Sequence, residues 1–195
     1  MSNFSKFLKN NSANILALTV SVLTLFIYVR QTNILAEQTR ASLWPYVSIN
    51  HITSNEGTIH PIISSFNITV KNSGTGPAIV ERVVVKINSI EVEFWGDLYN
   101  KVSPPFDFGC TNETLFGKVI MPGETIKFID FSNNFELMNY LYSEHFDNLE
   151  IAICYKSVYD EYWTVSVKGF GWKQHIIERQ KSNKCTLNAT TYFVQ

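Results

Sequence analysis

Hydrophobic and polar positions along this chain follow two regimes. Residues 10–29 carry no charge, and from Ile15 to Val29 nearly every side chain is aliphatic or aromatic. Coiled as a helix, such a run spans the ~30 Å apolar core of a bilayer. Lys6 and Lys9 stand before it, Arg30 follows it, and Tyr28 sits at the level of an interfacial aromatic belt. The pattern predicts a short polar tail over 1–9 and a transmembrane helix over 10–30. A cleaved signal peptide needs small residues just beyond the apolar run. Here Phe26-Ile27-Tyr28-Val29-Arg30 is bulky and then charged, and Ile34 occupies the small position before Ala36, so the segment is expected to be retained. Residues 31–43 contain no Gly or Pro and consist of helix-tolerant residues, which predicts a helical stalk that Pro45 ends.

From Trp44 onward the period drops to two. Phe66, Ile68 and Val70 alternate with Asn67, Thr69 and Lys71, and Val83, Val85 and Ile87 alternate with Val84, Lys86 and Asn88. Residues 46–52, 127–131, 149–155 and 163–167 read the same way. Turn chemistry separates these runs: Asn72-Ser73-Gly74-Thr75-Gly76-Pro77, then Met121-Pro122-Gly123-Glu124 with Pro and Gly placed for a type II turn, then Tyr159-Asp160-Glu161. One helix is predicted inside the domain, where Phe135, Met138, Leu141, Tyr142 and His145 follow helical spacing behind Asn133 or Asn134 as N-cap. The expected fold is therefore mainly β: a transmembrane helix and helical stalk, a β-sandwich over 44–170 with one crossover helix, and a C-terminal extension over 171–195 that ends in an added strand or a frayed tail.

The order of strand, Asn72-x-Gly74-x-Gly76-Pro77-Ala78, strand, Pro122-Gly123-Glu124, and Leu149-Glu150-Ile151-x-Ile153-x-Tyr155-Lys156-x-Val158-Tyr159 resembles small bacterial single-pass membrane proteins that carry an immunoglobulin-like or fibronectin-like β-sandwich. The resemblance covers roughly residues 44 to 170. It implies a binding or sensing module in the bacterial inner membrane and names no catalytic residue. In layout alone, the chain is similar to membrane effectors of anti-phage systems of the retron or cyclic-nucleotide type.

Charge adds little direction. The formal net charge is −1, and no basic run suggests direct nucleic-acid binding. Arg179, Lys181 and Lys184 form the densest basic cluster, readable as a solvated tail or as a lipid-headgroup contact. His51, His60, His145 and His175 are isolated in sequence, with no metal-ligand spacing, so no metal or cofactor is expected. Cys110, Cys154 and Cys185 are odd in number and do not read as a disulfide framework, although a pair plus a leftover thiol stays open; this tips the large domain toward the cytosol. Aromatics make up 14% of the chain, and Trp44, Trp95, Trp163 and Trp172 are expected in packing.

Two sets of residues are candidate binding elements. Ala13, Ala17 and Ser21 recur every four residues, with Thr24 one turn on, and such a stripe of small residues permits close helix approach and a homo-oligomer in the membrane. The loop Pro104-Pro105-Phe106-Asp107-Phe108 is the candidate exposed surface for a protein partner, through Pro104, Pro105, Phe106 and Phe108. The leading expectation is a non-enzymatic effector: a β-sandwich that binds a partner, coupled to a helix that acts on the bilayer. The alternative is an envelope scaffold or accessory subunit with the sandwich in the periplasm.

Overall fold

The computed structural model describes residues 11–56, 62–107, 109–171, 175–187 and 193, and the chain divides into two units, residues 1–42 and 43–195. The described part of the first unit forms helix α1 (Ser12–Ser42). None of its residues is buried, and large apolar side chains such as Leu16, Val22, Leu25 and Tyr28 are exposed on all sides. A helix that is apolar all round has no water-facing stripe. Its 31 residues correspond to about 46 Å at 1.5 Å per residue, so α1 is long and apolar enough to cross a membrane and continue beyond it.

The second unit consists of two antiparallel sheets. The first runs in the order β1 (Val47–Glu56), β2 (Ile62–Asn72), β7 (Thr125–Asp130), β5 (Thr111–Asn112). The second runs β10 (Ile176–Ser182), β9 (Tyr162–Lys168), β8 (Leu149–Lys156), β3 (Ala78–Ile87), β4 (Ile90–Val92), with β6 (Val119–Ile120) also paired to β3. Each alternating run read from the sequence is a strand here. The inner faces share one core, in which Phe66, Ile68 and Val70 of the first sheet meet Ile151, Ile153 and Tyr155 of the second. An aromatic cluster of Phe66, Phe131, Tyr142 and Phe146 fills one part of it, with Phe66 and Phe146 ring centroids 4.6 Å apart.

Asn72 explains the Asn-x-Gly-x-Gly-Pro motif. Its side chain is completely buried and fully satisfied: Oδ1 accepts from Tyr46 N–H (3.1 Å) and Gly74 N–H (3.0 Å), and Nδ2 donates to Gly76 O (2.8 Å) and Ile120 O (2.9 Å). Gly76 has no room for a side chain, because a Cβ there would lie 1.9 Å from Leu43 O. Ser73 N–H donates to Tyr46 O, and Thr75 N–H to Trp44 O. The motif is thus a clasp on residues 43–46, the first residues of the β unit. The 121–124 turn takes the expected form, with Gly123 at φ +82° and Glu124 N–H donating to Met121 O.

Helix content departs from expectation. The predicted helix is α3 (Phe135–Glu144), capped by Asn134, whose Oδ1 accepts from Leu137 N–H. A second helix precedes it in the chain, α2 (Trp95–Val102), so the domain does not contain one crossover helix only. Its apolar face, Trp95, Leu98, Tyr99 and Val102, has proper helical spacing, but Gly96 and Asn100 weaken its propensity. Asp97 secures it by accepting from Glu93 N–H and pairing with Lys101.

The C-terminal region is also built in. The mixed-charge run after residue 175 is strand β10, paired along its length with β9. Beyond it, Cys185 forms a disulfide with Cys154, with Cα atoms 5.9 Å apart. Cys154 lies on the face of β8 opposite the core and is nevertheless buried, and Arg82 opposite it donates to Leu187 O. Phe193 reaches the core, where its ring lies 5.0 Å from Trp95 and 5.7 Å from Phe128. The cysteines are therefore one pair plus a free Cys110, which removes the ground for a reducing compartment. Trp172 lies outside the described residues, as does the 190–194 segment apart from Phe193.

Candidate functional site

The two sheets end in edge strands whose main-chain groups differ in how they are covered. β1 is the outer strand of its sheet. Its partner β2 directs the main chain of Phe66 toward the β7 side, since Phe131 N–H donates to Phe66 O, and Asn72 does the same through Gly123 N–H and Glu124 O. Val47 stands opposite Asn72 and Thr53 opposite Phe66. By the alternation of an antiparallel ladder, the main-chain groups of Val47, Ile49, His51 and Thr53 point away from β2 to the open side. Among the described residues, Val47 alone is covered: Tyr155 Oη accepts from its N–H, and Arg179 Nη2 donates to its carbonyl at 2.7 Å.

Arg179 crosses to β1 from β10, the outer strand of the opposite sheet, and its guanidinium lies 3.7 Å from the Tyr46 ring centroid. Further along, the two edges enclose a cleft of about 240 Å³ lined by Ile49, Asn50, His51, Val167, Phe170, His175 and Ile177. His51 and His175 face each other there, ring centroids 4.3 Å apart, with Phe66 and Phe170 about 6 Å from His51. Burial, reinforced by the neighbouring His175, pushes His51 down to about 4, so it is neutral at pH 7. Ile177, one of the lining residues, is 62% exposed, leaving apolar surface at the cleft mouth.

The histidines thus come together in space although they are isolated in sequence. His51 falls in the alternating run 46–52 and His175 in the C-terminal extension, and nothing local to either residue signals the pairing. The basic cluster also resolves differently from a free tail: Arg179 is folded onto β1, and Lys181 pairs with Glu161 at 2.9 Å while lying over the Trp163 ring.

Of the residues singled out from the sequence, Ala13, Ala17, Ser21 and Thr24 are exposed on α1. Ser21 Oγ donates to Ala17 O and Thr24 Oγ1 to Val20 O, so both hydroxyls are satisfied within their own helix. The described residues of the 104–108 loop, expected as an exposed apolar surface, differ in exposure. Pro104 is buried, Pro105 is exposed, and Phe106 packs half-buried against the core, with its carbonyl accepting from Tyr99 Oη at 2.7 Å and its ring against Tyr140. Tyr99 of the unforeseen α2 is what draws the loop down. Phe108 lies outside the described residues. Burial raises the nearby Cys110 thiol to about 11, which makes it a poor nucleophile at neutral pH. Among the described residues no three His, Cys, Asp or Glu side chains form a metal-ligating group.

A family model, a domain of unknown function (DUF8453), matches residues 11–192. The chain belongs to the DUF8453 family. The match takes in α1 as well as the β unit, so the helix and the two-sheet domain form one family unit. No curated protein and no solved structure matches the chain.

Proposed function

We propose that this DUF8453 protein is a membrane-anchored interaction module, with α1 as the membrane span and the β domain as a non-catalytic receptor for a protein partner. The observation that carries the reading is the β1 edge, open among the described residues, with its His51–His175 cleft, on a domain attached to a helix long and apolar enough to cross a membrane. The strand order supports an immunoglobulin-like interpretation: β1-β2-β7 opposite β9-β8-β3 follows the A-B-E and G-F-C arrangement, with β4 beside β3 and β10 added outside. In the effector version of this reading, partner release lets α1 assemble through Ala13, Ala17 and Ser21 and damage the inner membrane, as the layout shared with anti-phage effectors suggests. Replacing Ala17 and Ser21 by Leu then weakens self-association on the scale of ~1 kcal/mol and reduces dye entry into cells.

The Cys154–Cys185 disulfide favours a second reading of the compartment, in which the β domain occupies the oxidising periplasm as an envelope scaffold or accessory subunit. Carboxy-terminal fusions to alkaline phosphatase and to a fluorescent protein separate the two sides. The module itself is tested in its native cell with a photo-crosslinking residue at Ile177 and a control at the exposed Glu136 on α3. A partner adduct from 177 alone, in a protein that stays in the carbonate-washed membrane pellet, is the expected result. Equal adducts at both positions, or release of the protein from the membrane, would overturn the reading.

A further inference from the structure

The β1 edge has the features of a strand acceptor rather than of a protected edge. Its residues include no Pro, Lys or Arg, and the only irregularity in its pairing comes near the far end, between Ser54 and Asn55. Natural edge strands are usually blunted by such charges, prolines or bulges. Here Arg179 and Tyr155 block the edge at Val47, and beyond that block the main-chain groups of Ile49, His51 and Thr53 have no partner among the described residues. The cleft beside them has room for an aliphatic side chain between His175, Phe170 and Ile177.

Arg179 is the cation at the blocked end of the groove. Arg179 is stacked on Tyr46 and hydrogen-bonded to the Val47 carbonyl and the Tyr155 hydroxyl; among the described residues it has no carboxylate partner, and its Nε is buried without a hydrogen-bond acceptor. Lys181 is already paired with Glu161. Glu178, the single acid on β10, turns to the opposite face, where it lines a separate polar hollow with Glu150, Ser166 and Lys168. An arginine fork left without an anion is complementary to a carboxylate.

We propose that the β1 edge from Ile49 to Thr53 receives an extended acidic peptide segment of a partner protein as an added strand. The inference deepens the interaction-module reading and rests on it. Main-chain pairing supplies the affinity, the cleft selects an aliphatic side chain, and Arg179 takes a carboxylate near the blocked end. Proline at Thr53 deletes an N–H that the ladder with β2 does not use, a substitution that edge strands accept.

The test is selection of a displayed random decapeptide library on the full chain in lipid nanodiscs. The enriched peptides are expected to alternate aliphatic and acidic residues and to bind less tightly as salt rises. Thr53→Pro should weaken them by about tenfold or more, as loss of main-chain hydrogen bonds implies. N-methylation of alternate peptide amides should do the same with the protein left unchanged, which keeps the test valid if the proline variant misfolds. Peptides that tolerate both changes, or no enrichment at all, would overturn strand addition. So would a dimer abolished by Thr53→Pro, since a second copy would then hold the edge. The broader reading fails separately, on the Ile177 crosslink.

Discussion

Replacing Asn72 by Ala removes four side-chain hydrogen bonds at once and should be among the most damaging single changes in the β unit. Two of the four partners, Gly76 O and Ile120 O, are held by Nδ2, and the other two, Tyr46 N–H and Gly74 N–H, by Oδ1. At about 1 kcal/mol net per bond, with more for each group left buried and unpaired, the expected loss is roughly 4 kcal/mol. Against a typical domain stability of ~5–15 kcal/mol this is a large share. Asn72→Asp sharpens the test because it keeps the shape. One carboxylate oxygen can still accept from Tyr46 and Gly74, but the other would face two carbonyls. At pH 7 the cost should exceed that of Ala. It should shrink as pH falls toward 4, since a protonated carboxyl can donate to one carbonyl and the folded state then favours the neutral form. Urea unfolding of the full chain in detergent, followed by tryptophan fluorescence, measures all three proteins. A loss below about 1 kcal/mol for Asn72→Ala, or an Asp variant indifferent to pH, would show that the motif is not the clasp described.

The His51–His175 contact gives stability a pH dependence. Because burial holds His51 at about 4 in the folded chain against ~6.5 when unfolded, the unfolded state binds the proton first. Stability is then full above pH 6.5 and lost as pH falls toward 4, so the melting temperature should drop over that window and drop less in His51→Phe. At the β3–β4 hairpin, Asn88 and Ser89 both have positive φ, 51° and 68°, and Ser89→Gly should stabilise by about 0.5–1 kcal/mol in the same urea assay. Cys185→Ser opens a link across 31 residues, for which chain entropy predicts a loss of about 3–4 kcal/mol. Equal unfolding midpoints for wild type and variant under non-reducing conditions would remove that contribution.

Much of this architecture was legible in local pattern. The uncharged run after residue 10 specifies α1, because length and polarity along one helix need no partner to be evaluated. Period-two alternation specifies β2, β3, β8 and β9, and proline with glycine specifies the 121–124 turn, since these depend on neighbours in sequence. Helix α2 shows the limit of propensity. It was not among the elements expected from the sequence; Gly96 and Asn100 weaken its helix propensity, and burial of Trp95 and Leu98 against the core offsets that. The candidate site lay further out of reach. His51 with His175, Arg179 with Val47, Cys154 with Cys185, and Phe193 with Trp95 are each brought together by the packing of two sheets. Sequence determined which segments are strands and which face of each is apolar. Only tertiary structure decided which edge stays open and what stands beside it, because an edge is defined by the absence of a neighbouring strand, and that is a property of the assembled sheet.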